Sequence, residues 1–304
     1  MTVATLVARD GSVNEPKVPK RDDGAIEIAR MRQWLKERID GSQIEPITEI
    51  VTLTPTLAKL LLERNKENRP LSETQLERLA RDLNSGRWEF NGETIVIAKT
   101  GELNNGQHRC HAVISSGRSM RVIMVFGTER TSRMTIDTGV TRTVGHFLAM
   151  NGHHDVNNLA AIASNLWQYK QNGRLSHNGR DKPTKAEALM IVNHYSDIPE
   201  SLLFVSRKGA GRICTRSLLG FVHYVIGHAR GNPAIEAFLE KLIDGTELKK
   251  DDPILYCRNR LIEMKSTMKL GEKAELIFRA WNMFRRGDRG VRIPITGRMP
   301  ELEP

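Results

Sequence analysis

Leu103-Asn104-Asn105-Gly106-Gln107-His108-Arg109 is the stretch on which the reading of this chain turns. An extended end, an Asn-Gly turn and a new helix follow one another, and the helix continues through Cys110, Ala112, Val113 and Ile114 to Ser116-Gly117. The first backbone N–H groups of a helix have no partner within it, and the helix dipole adds positive potential there, so such a start attracts anions. Gly106 lets an anion approach the backbone closely. Asn105 is placed to cap the helix, and Gln107, His108 and Arg109 bring further polar groups. The Arg109 guanidinium can hold a phosphate in bidentate fashion. The same residues also fit a plain reading, an Asn-Gly turn followed by a His-Arg pair on a helix surface.

Upstream, Ile47–Leu53 alternates and is β-branched, which predicts a strand. Thr54-Pro55 opens a helix to about Asn65, with Pro at its first position. Asn68-Arg69-Pro70 breaks it. Ser72 with Gln75 forms a capping-box pattern ahead of the stripe Leu76, Leu79, Ala80 and Leu83. Thr94–Ala98 and Arg121–Phe126 read as further strands. Asp137-Thr138-Gly139 reads as a turn, after which Thr143 caps a helix ending near Met150. Seven more helices are expected near 155–171, 184–195, 198–207, 215–229, 233–243, 253–266 and 271–285. The fold class is therefore α/β in the broad sense (α+β), with a small mixed sheet and its helices over 46–150. A mostly helical domain follows over 151–288. Residues 1–45 are expected to be a flexible tail to about residue 25 and then a short amphipathic helix over 26–40, with Ile26, Ile28, Met31, Leu35 and Ile39 on its apolar side. Residues 289–304 are expected to be a loose tail.

Of the 304 residues, 39% are hydrophobic, as in ordinary globular proteins. No apolar run approaches the ~20 residues of a membrane helix, and no signal peptide is expected. The three cysteines, Cys110, Cys214 and Cys257, are odd in number and far apart, which speaks against a disulfide framework or a zinc site and for a reducing, cytoplasmic setting. His153-His154-Asp155 matches no standard ligand spacing, and Asp155 is placed to start a helix. The formal charge of +10 suits polyanionic partners, and most of the surplus lies in the last third. There, Arg279, Arg285, Arg286, Arg289 and Arg292 cluster near Trp281 and Phe284. Basic residues interleaved with aromatics suit DNA, single-stranded or with a flipped base, and equally the solvated face of an amphipathic helix.

The box at 105–109 resembles the ParB/sulfiredoxin superfamily, in particular the phage-encoded branch with a "DGQHR"-like box. Asn68-Arg69-Pro70-Leu71-Ser72, Trp88-Glu-Phe-Asn-Gly-Glu93, and Asp137-Thr138-Gly139 with Arg142-Thr143 match that branch in order, so the resemblance spans about residues 46–150. It implies a small α/β domain that holds a nucleoside triphosphate, ATP or CTP, with Mg2+. Asn105, Gly106, Gln107, His108, Arg109 and Arg142 would bind its phosphates. Glu93 and Asp137 would hold the metal or orient a hydroxyl, and His108 would join them in catalysis. Arg279, Arg285, Arg286 and Arg289 would contact DNA.

Relatives use this domain differently. ParB proteins hydrolyse CTP to switch a DNA clamp, sulfiredoxins use ATP to repair an oxidised cysteine, free-serine kinases phosphorylate a small hydroxyl, and phage members are proposed to phosphorylate hydroxymethylated bases. Where sulfiredoxins carry a reactive Cys this chain has Gln107, and where ParB proteins carry Glu-Arg-Arg it has Gln107-His108-Arg109. Many relatives have Asp before the Gly of the box; here it is Asn105, which cannot act as a base. The expectation is a phage or prophage phosphotransferase acting on a hydroxymethylated DNA base. A nucleotide-switched DNA-binding regulator and a non-enzymatic DNA-binding protein are the alternatives.

Overall fold

The computed structural model describes residues 21–136, 142–290 and 292–304. The chain is mixed α+β, as its periodicities predict, and divides into two compact units. Residues up to 72 and 88–137 form unit 1; residues 73–87 and 138–304 form unit 2.

Unit 1 is built on a four-stranded sheet in the order β1-β4-β2-β3. β1 (Ile47–Leu53) runs antiparallel to β4 (Met120–Thr128), with Ile47 opposite Phe126 and Leu53 opposite Met120. β4 is parallel to β2 (Thr94–Ala98), which forms an antiparallel hairpin with the three-residue β3 (Leu103–Asn105). Parallel strands need a crossover, and α4 (Gln107–Ser116) supplies it between β3 and β4. β2 is almost fully buried, in keeping with its apolar run Ile95-Val96-Ile97-Ala98. α2 (Pro55–Leu62) starts at Thr54, whose hydroxyl accepts from Leu57 N, and it packs with α4. The core of unit 1 gathers Leu53, Leu57, Leu61, Ile95, Leu103 and Phe126.

α1 (Arg21–Gly41) is longer than the helix expected over 26–40, and it belongs to unit 1 rather than to a separate tail. Its apolar side is used only in the second half: Leu35 and Ile39 are buried and Trp34 meets Phe126 edge-on, whereas Ile26 and Ile28 are exposed.

A second departure concerns α3 (Glu73–Asn84), expected within the 46–150 domain but a member of unit 2. Its arginines decide this. Arg81 and the following Arg87 both reach the buried Glu187 carboxylate, at 3.5 and 2.8 Å. Arg78 donates to the Gly179 carbonyl at 2.9 Å, and the Thr184 hydroxyl donates to Asp82 at 2.9 Å. Arg81 also lies over the Trp167 ring. A buried carboxylate is tolerated only when paired, so Glu187 ties α3 to α7 (Lys185–His194).

Unit 2 is otherwise helical, through α5 (Val144–Met150), α6 (Val156–Asn172), α7, α8 (Ile198–Arg207), α9 (Arg216–His223), α10 (Ala234–Asp244), α11 (Pro253–Glu263) and α12 (Leu270–Arg286). These bounds lie within a few residues of those read from the sequence. Thr143 caps α5 as expected. α9 is buried from Ser217 to His223 and runs into a π-helical turn, Tyr224–His228. Phe221, Phe278 and Trp281 fill the centre.

The last residues depart from the loose tail expected over 289–304. From Ile293 onward they lie along α12 without regular structure, with Ile293 and Leu302 buried in the core of unit 2.

Removing Glu187 would leave Arg81 and Arg87 without their buried counter-charge. Glu187→Ala is expected to cost about 3–5 kcal/mol of stability, as broken buried pairs do. A urea melt reads this directly, and a loss under 1 kcal/mol would show that the pair does not hold α3 in place.

Candidate functional site

The start of α4 is shaped first by Gly106. It is the N-cap residue, at φ 112°, a left-handed backbone that other residues rarely adopt. A Cβ there would come within 2.8 Å of Ile95 Cγ1 on the neighbouring strand. Both constraints require glycine. No side chain caps this helix end, so the expected role of Asn105 as a cap is not met: Asn105 ends β3, and Gly106 takes the N-cap position.

The three residues after Gly106 are buried, each with a side-chain task inside unit 1. Gln107 donates from Nε2 to the Arg69 carbonyl at 2.9 Å and accepts from Asn65 Nδ2 at 3.1 Å. His108 Nε2 accepts from the backbone N–H of Ser72 at 3.0 Å. That bond requires a lone pair on Nε2, so the ring is neutral with its proton on Nδ1. Burial, then the charges of Arg69, His111 and Arg109, hold its pKa below the usual histidine value. The Arg109 guanidinium donates to the Thr94 carbonyl at 2.8 Å and pairs with Glu93 at 3.1 Å.

These contacts correct three expectations. Gln107 and His108 do not present their side chains as phosphate donors. His108 Nε2 is engaged with Ser72 and so is not placed to act as a base. Arg109 is not an open cation but a strut between α4 and the start of β2. Glu93 itself is exposed, with a side-chain accessibility of 62%.

The contacts also join the motifs that lay apart in sequence. Asn68 donates to the Leu103 carbonyl at 2.7 Å, so the loop from Asn65 to Ser72 is laced to the box at Leu103, Gln107 and His108. Residues 93 and 94 meet it at Arg109. Asp137, together with Thr138 and Gly139 of the fourth motif, lies outside the described residues. Arg142 is exposed ahead of α5 and belongs to unit 2.

Asn104 and Arg130 are parts of this network that sequence reasoning missed. Asn104 is buried and donates to Thr128 Oγ1 and the Glu129 carbonyl. Arg130 donates to Asn104 Oδ1 at 2.7 Å, to the Leu103 carbonyl at 3.0 Å and to the Lys66 carbonyl. The doubled Asn before Gly106 was a signal for the first. Nothing local marks the second, because Arg130 acts across the sheet.

Cys110 is fully buried, and desolvation pushes its thiol up to about 12. At neutral pH it is a thiol rather than a thiolate, which removes it as a nucleophile. Among the described residues no three His, Cys, Asp or Glu side chains gather as a metal site, and no helix is long and apolar enough to cross a membrane.

The α12 arginines all have partners in their own chain. Arg279 holds Glu275 at 2.9 Å, and Arg285 donates to the Pro304 carbonyl and lies over Trp281. Arg286 pairs with Asp288 and Glu303, and Arg289 approaches Asp251 at 3.9 Å.

A second cluster of titratable groups lies at the π turn. His223 is buried, with Nδ1 2.9 Å from Ser201 Oγ and its ring stacked on Phe204. Its Nε2 makes no hydrogen bond.

No family model, curated protein or solved structure matches the chain.

Two outcomes follow from this geometry. Gly106→Ala, strained at φ and crowded by Ile95, is expected to lose about 1–3 kcal/mol of stability. An unchanged melting temperature would show that β2 and α4 can part without cost. His223 has its pKa lowered to about 4 by burial and then by His228. The unfolded chain takes up this proton near pH 6.5 and the folded chain only near 4, so stability falls as pH drops through that window. The slope approaches about 1.4 kcal/mol per pH unit. His223→Gln should flatten this acid limb in urea titrations between pH 7 and 4, and an unaltered limb assigns it to other groups.

Proposed function

We propose that unit 1 is a nucleoside-triphosphate-binding module of the ParB/sulfiredoxin type. In this reading the whole chain is a phage-type protein of the host cytoplasm that uses ATP or CTP to act on DNA, transferring phosphate to a hydroxymethylated base. The observation that carries the reading is the start of α4: a helix end without a side-chain cap, preceded by a glycine at φ 112°. Arg69 and Arg109 belong to the same turn, Arg69 through its carbonyl bond to Gln107 and Arg109 through its pair with Glu93. Backbone N–H groups and the helix dipole supply the anion site there, while Gln107, His108 and Asn68 hold the surrounding loop in shape.

Mg2+ commonly takes one or two carboxylates and completes its shell with phosphate oxygens and water. Glu93, exposed and adjacent to Arg109, suits that part, and when bound the ion would neutralise charge on the transferred phosphate. The acceptor hydroxyl oxygen bonds to the γ-phosphorus as the bridge to the β-phosphate breaks. The hydroxyl proton passes to solvent, and the nucleoside diphosphate leaves with the new negative charge on its terminal phosphate. In this reading DNA contact falls to the basic surface of unit 2, where Arg289 is exposed and only approaches Asp251 at 3.9 Å.

One observation favours a second reading. Asn105 stands where a carboxylate is common in the resembled branch, and Glu93 is held by Arg109. Both suit a nucleotide-driven switch of DNA binding without phosphate transfer.

ATP labelled on its terminal phosphate, incubated with Mg2+, the protein and duplexes of ordinary or hydroxymethylated pyrimidines, separates the two. Label is expected in the modified duplex; label released only as free phosphate supports the switch. In titration calorimetry Arg109→Ala is expected to weaken nucleotide binding about tenfold or more, through the loss of a charge beside the site. If neither ATP nor CTP binds the wild-type chain, the triphosphate reading is wrong.

A further inference from the structure

The segment Thr296–Pro304 is held to unit 2 through its main chain. Glu275, itself buried, accepts from the backbone N–H of Thr296 at 2.7 Å and of Gly297 at 2.9 Å. Asn282, also buried, uses both ends of its amide: Nδ2 donates to the Glu301 carbonyl at 2.6 Å, and Oδ1 accepts from Glu303 N at 2.9 Å. That is how a neighbouring β-strand would read an extended peptide. Arg230 donates to the Leu302 carbonyl at 3.0 Å, Trp281 Nε1 to the Glu303 carbonyl at 3.2 Å and Arg285 to the Pro304 carbonyl at 2.8 Å. Every carbonyl from 301 to 304 thus has a side-chain donor. Leu302 is buried as an anchor, and Glu303 pairs with Arg286 at 3.0 Å.

The chemistry of these contacts discriminates between ligands. Arginines alone would suit phosphates as well as carbonyls. Glu275 and Asn282 Oδ1, however, accept from N–H groups, and a carboxylate in the groove would repel a phosphodiester chain. An extended peptide supplies donors and acceptors in the order the groove reads them. We propose that this groove along α12 is a peptide-docking site for an extended segment of a partner protein, with an apolar residue followed by a carboxylate. In the isolated chain the Glu301-Leu302-Glu303 stretch fills it as a resident competitor. The charge fits at one position, where Arg286 pairs with the Glu303 carboxylate, while Arg230 and Arg285 hold the Leu302 and Pro304 carbonyls.

The test uses the full chain. Leu302→Asp removes the apolar anchor and should release the resident segment. A fluorescein-labelled peptide of residues 292–304 is then titrated against wild type and variant, followed by anisotropy. The variant is expected to bind the peptide at least about tenfold more tightly than wild type, whose groove is occupied. Adding Asn282→Ala to the variant should abolish the gain, as should Leu302→Asp within the peptide. Should Leu302→Asp fail to fold, Glu303→Arg, which sets a cation against Arg286, replaces it. Equal affinity for wild type and variant, or no binding to a folded variant, overturns the proposal. A labelled single-stranded oligonucleotide serves as the other arm: tighter binding of it than of the peptide by the released variant would make the groove a polyanion site and likewise overturn it.

Discussion

The loop from Asn65 to Ser72 is held in place by buried polar side chains of the box at 104–109, and the start of α4 depends on that pairing. A buried polar side chain left without a partner costs roughly 1–3 kcal/mol, so Gln107, His108 and Arg109 must each find one. Gln107 donates to the Arg69 carbonyl, His108 accepts from the Ser72 N–H, and Arg109 donates to the Thr94 carbonyl. This lacing fixes where β3 ends, where α4 begins and how the crossover to β4 leaves the hairpin. It also explains why three buried polar residues stand in a row at a helix start, where solvent-facing side chains would be usual.

Most of the architecture was legible in periodicity and caps. The strands at 47–53 and 94–98 alternate or run apolar as half-buried and buried strands must, and Thr54 and Thr143 mark helix starts that their hydroxyls do cap. What local pattern could not show was partnership. The apolar stripe of α3 gives its helical form but not its neighbour, which a buried carboxylate more than a hundred residues on decides for Arg81. The segment after Gly290 carries Pro, Gly and charge, as loose tails do, and its order comes from donors on α12 that only the folded unit lines up.

The candidate site was legible in outline and not in roles. Gly106 was singled out for letting an anion approach the backbone; what the fold requires of it is a left-handed conformation and room beside Ile95. His108 and Arg109 were read as outward donors because His-Arg at a helix start has no local sign of burial. Their partners are the Ser72 N–H and the Thr94 carbonyl, backbone groups that carry no residue signature. Cys110, on the same helix, is fully buried.

The arrangement of α3 has a consequence for synthesis on the ribosome. The chain enters unit 2 at Glu73, returns to unit 1 at Trp88 and leaves again after Asp137. Arg87 therefore emerges 100 residues before Glu187, its buried counter-ion. At the usual ~5–20 residues per second this helix waits on the order of 5–20 seconds with its apolar stripe uncovered. During that interval the nascent sheet of unit 1 can close around β2 and β4, but the excursion through 73–87 stays a dangling loop. A chaperone that shields short amphipathic helices would find its natural client there, and synonymous codons that slow translation between 90 and 190 would lengthen the exposure.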